Sequence, residues 1–265
     1  MNRMSWATLA ALAFMVAGCN SMPQRESAGP VAESVSMTGE PTDARNRARV
    51  RAELASLYYG RGNMAIALEE LRLAAAADPT YPLTYSLFGL VYLELREHRL
   101  AQTNFERALS LSPTDPDINH NYGLFLCQTG RENESIKYFM QAVSNPLYQA
   151  PWRSYSAAGV CASRKNNIKQ AEEYFQQALR QEPNDPGSLL QLGQIRYRQG
   201  GLEEARKLVG RYNKIVEPTA ESLWLALRVE RKLGERVAES SYANQLRRRF
   251  AASREYQQLQ RGEYD

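Results

Sequence analysis

Few side chains in this 265-residue chain have the chemistry to act as catalysts or ligands. There are 3 cysteines (Cys19, Cys127, Cys161) and 2 histidines (His98, His120). None stands at the spacing a zinc-type centre needs from another, and both histidines read as surface residues. No Gly-x-x-x-x-Gly-Lys-Ser/Thr occurs, so no phosphate-cradling loop is expected, and Gly60-Arg61-Gly62 reads as a helix turn. The acidic pairs Glu69-Glu70, Glu172-Glu173 and Glu203-Glu204 read as solvated helix faces. No nucleophile is paired with a base. The expectation is a chain that is not an enzyme, with no metal, no cofactor and no small-molecule substrate.

Cys19 is the cysteine with the clearest context. Arg3 is followed by the nearly unbroken apolar stretch 7–16, the length of a signal-peptide core and too short to span a bilayer. Val16-Ala17-Gly18-Cys19 then resembles the bacterial lipobox, with Val where Leu is usual. That resemblance implies cleavage after Gly18 and lipid on the Cys19 thiol, since two or three acyl chains anchor stably where one is marginal. Asn20 in place of Asp resembles the outer-membrane sorting pattern. Residues 1–18 are thus expected to be a lipoprotein signal peptide, and 19–44, rich in Pro, Gly, Ser and Thr with no apolar period, a flexible tether. The protein is placed at the outer membrane, lipid-anchored and facing the periplasm.

The rest is built to fold. Apolar residues make up 43% and charged residues 23%, which is a globular balance. The net charge of +4 is spread over both halves and gives no argument for nucleic acid as a partner. Internal repetition decides the architecture. Pro79 and Pro113 stand 34 residues apart, and Pro183 follows two further periods on, with two extra residues near Leu147 to Pro151. In this register Gly89, Gly123, Gly159 and Gly193 recur in a first helix, and Ala67, Ala101, Ala171 and Ala205 in a second. Leu71, Phe105, Phe139 and Phe175 follow four places later, and Gly62, Gly130, Gly200 and Gly234 mark the turn between paired helices. The pattern resembles the tetratricopeptide repeat. It implies an all-α, right-handed superhelical solenoid over residues 45–265, about six helix pairs near 48–81, 82–115, 116–149, 152–185, 186–219 and 220–250. A C-terminal capping helix is expected over 242–259, because a stack buries its apolar faces only against neighbours.

Cys127 and Cys161 fall in the first helices of consecutive repeats. In an exported chain this placement favours a disulfide over two free thiols. The first helices of such a fold line a concave groove. Counting from each repeat start places Arg49, Ala52, Ser56, Tyr59, Leu83, Ser86, Leu90, Leu93, His120, Leu124 and Cys127 on its N-terminal part, and Val160, Arg164, Gln194, Tyr197, Arg198, Trp224, Arg228 and Arg231 on its C-terminal part. Tyr59, Leu83, Leu90, Leu93 and Leu124 are read as the seat for an apolar segment of a partner protein, since exposed apolar patches mark protein contacts. Ala52 and Ser56 stand where chaperone-type repeats carry Asn and Lys, which argues against a carboxylate clamp.

The tail narrows the reading. Leu246-Arg-Arg-Arg-Phe250, Ser253-x-Glu255-Tyr256 and Gly262-Glu263-Tyr264, with the lipobox, the repeats and the cysteine pair, resemble the PilF/PilW type IV pilus biogenesis and stability lipoproteins. The resemblance covers essentially the whole chain. It implies a pilotin-like role, helping the pilus secretin localise or multimerise in the outer membrane and so supporting pili and twitching motility. The partner would be the secretin or another pilus-assembly protein, with membrane contact through the lipid. The residues by themselves leave two other scaffold roles open, in outer-membrane β-barrel assembly or as an adaptor for peptidoglycan hydrolases or proteases.

Overall fold

The computed structural model describes residues 41–264. Thirteen α-helices and no strand occur among the described residues. Six antiparallel pairs follow one another: α1 Pro41–Gly60 with α2 Met64–Ala77, α3 Pro82–Glu94 with α4 His98–Leu111, and α5 Pro116–Gln128 with α6 Glu132–Ser144. Then come α7 Pro151–Arg164 with α8 Ile168–Gln181, α9 Pro186–Arg198 with α10 Leu202–Ile215, and α11 Ala220–Leu233 with α12 Arg236–Arg249. The short α13, Arg254–Arg261, ends the stack. This is the all-helical tetratricopeptide solenoid that the period implies. None of its helices is long and apolar enough to cross a membrane. The expected signal peptide and Cys19 lie outside the described residues.

Local chemistry explains the boundaries. Pro opens α3, α5, α7 and α9 at a position that needs no backbone N–H. Asp115 and Asp185 cap the next first helices by accepting from the N–H of Ile118 (3.0 Å) and Ser188 (2.8 Å). The turn glycines Gly62, Gly130, Gly200 and Gly234 hold φ between +76° and +82°, where a Cβ is strained. In repeats two and four Arg96 (φ 61°) and Asn166 (φ 60°) fill the same place. The two-residue excess lies in the link 145–150, longer than its counterparts 78–81 and 112–115. It turns Tyr148 inward, where the ring is buried.

Two elements differ from expectation. Helix α1 begins at Pro41, ahead of residue 48 and inside the stretch read as tether. Its extra turns earn contacts: Arg45 reaches Asp78 at 3.3 Å and lies over the Tyr81 ring at 5.2 Å. The C-terminal helix is broken at 250–253. Ser253 restarts it by accepting from Tyr256 N–H at 3.1 Å, and Tyr256, Leu259 and Tyr264 pack over Leu223, Trp224 and Leu227.

The core is a row of size-matched pairs, one residue from each helix of a unit. A Cβ on Gly89 would lie 2.7 Å from the Phe105 ring, one on Gly123 2.6 Å from Phe139, and one on Gly159 2.6 Å from Phe175. The glycine therefore admits an aromatic ring rather than a bare helix backbone. Elsewhere the same two places hold Ala55 with Leu71 and Gly193 with Val209. In the last pair the sizes are reversed, Leu227 against Ala243. Phe105 also reaches the next unit, with ring centroids 5.8 Å from Tyr122 and 5.5 Å from Phe125.

Candidate functional site

The first helices α1, α3, α5, α7, α9 and α11 stack side by side and line the groove. Residues at equivalent repeat positions form rows across it. One row runs Ser56, Leu90, Leu124, Val160, Gln194, Arg228, and another Glu94, Gln128, Arg164, Arg198, Lys232. In the row one residue earlier Ser163 borders a depression and Arg231 is exposed, but Leu93, Cys127 and Tyr197 do not line the groove. These side chains are only 7%, 6% and 6% exposed, while every member of the row one residue later is exposed. A step of one residue turns a helix by about 100°, so these three face the neighbouring units instead. The assignments of Leu93, Cys127 and Tyr197 to the groove are corrected accordingly. Leu93 packs with Phe105, Tyr122 and Leu126. Tyr59, at the same position, is half-buried against the cluster of Ala55, Leu71, Phe88 and Val91.

At the N-terminal end Tyr59, Leu83 and Leu90 do come together. They line a cleft of about 380 Å³ with Tyr81, Leu87, Ala52, Ser56 and Ser86. Leu83, Leu87 and Leu90 are successive turns of α3, an i, i+4, i+7 stripe that the sequence carries openly. The walls are not wholly apolar. Asn121 Nδ2 donates to Ser86 Oγ at 3.1 Å, and Arg153 faces Asp117 at 4.0 Å across the rim. Burial, then the charge of Glu94, raise the Tyr59 pKa above its ordinary value, so its hydroxyl stays protonated as a hydrogen-bond donor. Asp117, Asn121 and Arg153 escaped the sequence reading because they come from later repeats.

Leu124 lies further along, in a separate depression with His120, Trp152, Arg153 and Val160. His120 is not a surface histidine. It is 3% exposed, tilted against Phe139 at 5.6 Å, and its Nδ1 is 2.9 Å from Ser154 Oγ. The Tyr148 hydroxyl meets the same Ser154 Oγ at 3.2 Å. Burial, helped by Arg153, pushes the His120 pKa down to about 3, so the ring is neutral. Ser154 is fully buried and cannot serve as a nucleophile. His98 opens α4 beside Phe125 and Arg131.

The C-terminal end of the groove is cationic and aromatic. Arg228 lies over Tyr197 (4.7 Å) and Trp224 (5.6 Å), and Lys232 Nζ is 4.5 Å from the Tyr197 ring. Arg231 is covered by Tyr264 of the tail at 3.8 Å. Of the acidic pairs, Glu70 and Glu172 are not free solvated charges: they bind Arg51 (2.9 Å) and Arg196 (2.7 Å) from other helices. Cys127 and Cys161 meet sulfur to sulfur between α5 and α7, with Cα atoms 5.8 Å apart, a separation a disulfide spans.

Helix pairs, size-matched core and concave groove define a tetratricopeptide-repeat protein, a class built for protein interaction. Family models described as tetratricopeptide repeat match residues 84–115, 116–145 and 163–227. The type IV pilus assembly protein PilF of Pseudomonas aeruginosa is 28% identical over 203 residues, 77% of this chain and 81% of that protein. The crystal structure of PilW, a type IV pilus biogenesis factor, superposes with a TM-score of 0.72 at 29% identity, covering 80% of this chain and 98% of that one. A structure of Pseudomonas aeruginosa PilF gives 0.77 at 26% identity, covering 83% and 99%. The chain is a PilF/PilW-like tetratricopeptide-repeat protein.

Proposed function

We propose that this protein is an outer-membrane lipoprotein that supports type IV pilus biogenesis by binding the pilus secretin and promoting its localisation or multimerisation. The observation that carries this reading is the likeness to PilF in sequence over 81% of its length, and to PilF and PilW in fold over nearly the whole of the chains compared. The apolar N-terminal cleft is its working surface: Tyr59, Leu83 and Leu90 receive an apolar segment of the partner, and Leu124 extends the contact. Lipid on Cys19 holds the scaffold at the membrane where the secretin assembles. A Cys127–Cys161 disulfide fixes repeats three and four to each other. Intact mass before and after reduction and alkylation should find no free thiol at these two positions in native protein, and two alkylated thiols there would exclude the bond.

Deletion of the gene tests the role with two readouts. Secretin multimers in outer-membrane fractions and pili on the cell surface should both fall sharply. Normal levels of both would remove the pilus reading.

A further inference from the structure

The groove changes character along its length. The row at the last turn of the first helices α3, α5, α7, α9 and α11 reads Glu94, Gln128, Arg164, Arg198, Lys232, all exposed. The central row passes from Leu90, Leu124 and Val160 to Gln194 and Arg228. Arg164 and Arg198 line one depression with Asn166, Gln191 and Gln194, and no carboxylate lines it. Glu221 accepts a hydrogen bond from Gln194 Nε2 at 2.5 Å. Arg164 gives one N–H to the Cys127 carbonyl at 3.2 Å, a neutral acceptor that leaves its charge uncompensated. Cations at helix C-termini do interact favourably with the helix dipole. That dipole supplies no carboxylate, and none lines the depression that Arg164 and Arg198 share.

We propose that the C-terminal half of the groove binds an acidic, extended segment of a partner protein, with carboxylates set against Arg164, Arg198 and Lys232. The spacing fits. Adjacent packed helices lie about 8–10 Å apart, and an extended chain advances about 3.3 Å per residue. Every third residue of such a segment therefore meets the next rung. Gln191 and Gln194 offer amides to its backbone. A nucleic acid base is disfavoured, because the Tyr197 face is already covered by Arg228 and Lys232. A flat lipid surface is disfavoured because the charges line a concavity. This inference rests on the groove being the partner surface, and not on the partner being a secretin.

The test is fluorescence anisotropy of fluorescein-labelled octaglutamate titrated with the full-length chain, beside octalysine and phosphatidylglycerol vesicles. Octaglutamate should bind, and weaken as salt rises. Arg198→Glu with Lys232→Glu should weaken it by about tenfold or more, and Arg198→Ala with Lys232→Ala by an intermediate amount. Arg247→Glu with Arg248→Glu, an equal charge change on exposed positions of α12, should leave it within about twofold. Circular dichroism shows which variants are folded. No binding of octaglutamate, equal loss from the α12 variant, or vesicle binding that replaces peptide binding and is lost in the groove variants would each overturn the proposal. The result is independent of the deletion phenotype, so either reading can fail alone.

Discussion

His120 carries a pH dependence into the fold. Held neutral with a pKa near 3, it cannot take the proton that the unfolded chain accepts near pH 6.5. Its contribution is therefore complete above about pH 6.5 and is lost as pH falls toward 3, at about 1.4 kcal/mol per unit. Between pH 7 and pH 5 urea unfolding should show about 2 kcal/mol lost that His120→Gln does not lose; equal slopes for the two proteins would contradict this. Leu90 and Leu93 make a second residue-scale contrast. Leu93→Ala empties a core position and should cost about 2–5 kcal/mol, whereas Leu90→Ala, at the groove surface, should cost under about 1 kcal/mol. Thermal melts of the two variants decide it, and similar melting temperatures would place Leu93 back in the groove.

Among the elements, the size-matched pair explains why each unit tolerates its own sequence. Gly123→Ala drives a Cβ into the Phe139 ring and should destabilise by about 1–3 kcal/mol. Adding Phe139→Leu recreates the Ala55–Leu71 combination of repeat one and should recover at least part of that loss. A double variant no more stable than the single would show that ring and glycine are not coupled. Helix pairs, turn glycines and the two-residue insertion were all legible in the sequence, because each repeat restates one local solution. The facing of the groove was not. The choice between the rows of Leu93 and Glu94 depends on how successive units rotate against each other, which no single helix encodes. His120 was misread for a related reason: Ser154, which hydrogen-bonds it, and Tyr148, which hydrogen-bonds that serine, come from the next repeat and from the inserted link. The break before α13 follows from Ser253, a capping residue present in the sequence but outweighed there by the helical pattern on either side.

For the molecule as a whole, stability and function are spread differently along the stack. Each unit is held by its neighbours, so a bond between units three and four would restrain the centre. Cys127→Ser with Cys161→Ser should lower stability by about 3–4 kcal/mol, the value expected for closing a loop of this length. Urea unfolding with and without reductant measures it, and a wild-type midpoint indifferent to reductant would show that the bond contributes nothing. The groove above this restraint runs from an apolar end near the start of the solenoid to a cationic end under the tail. The central claim is that the apolar end captures the partner through which the protein supports pilus biogenesis. Its most direct test is complementation of the deletion strain with Leu83→Glu plus Leu90→Glu, scored by secretin multimers in the outer membrane. The account predicts a protein that accumulates and melts like wild type yet restores no multimers; full restoration by that variant would contradict it.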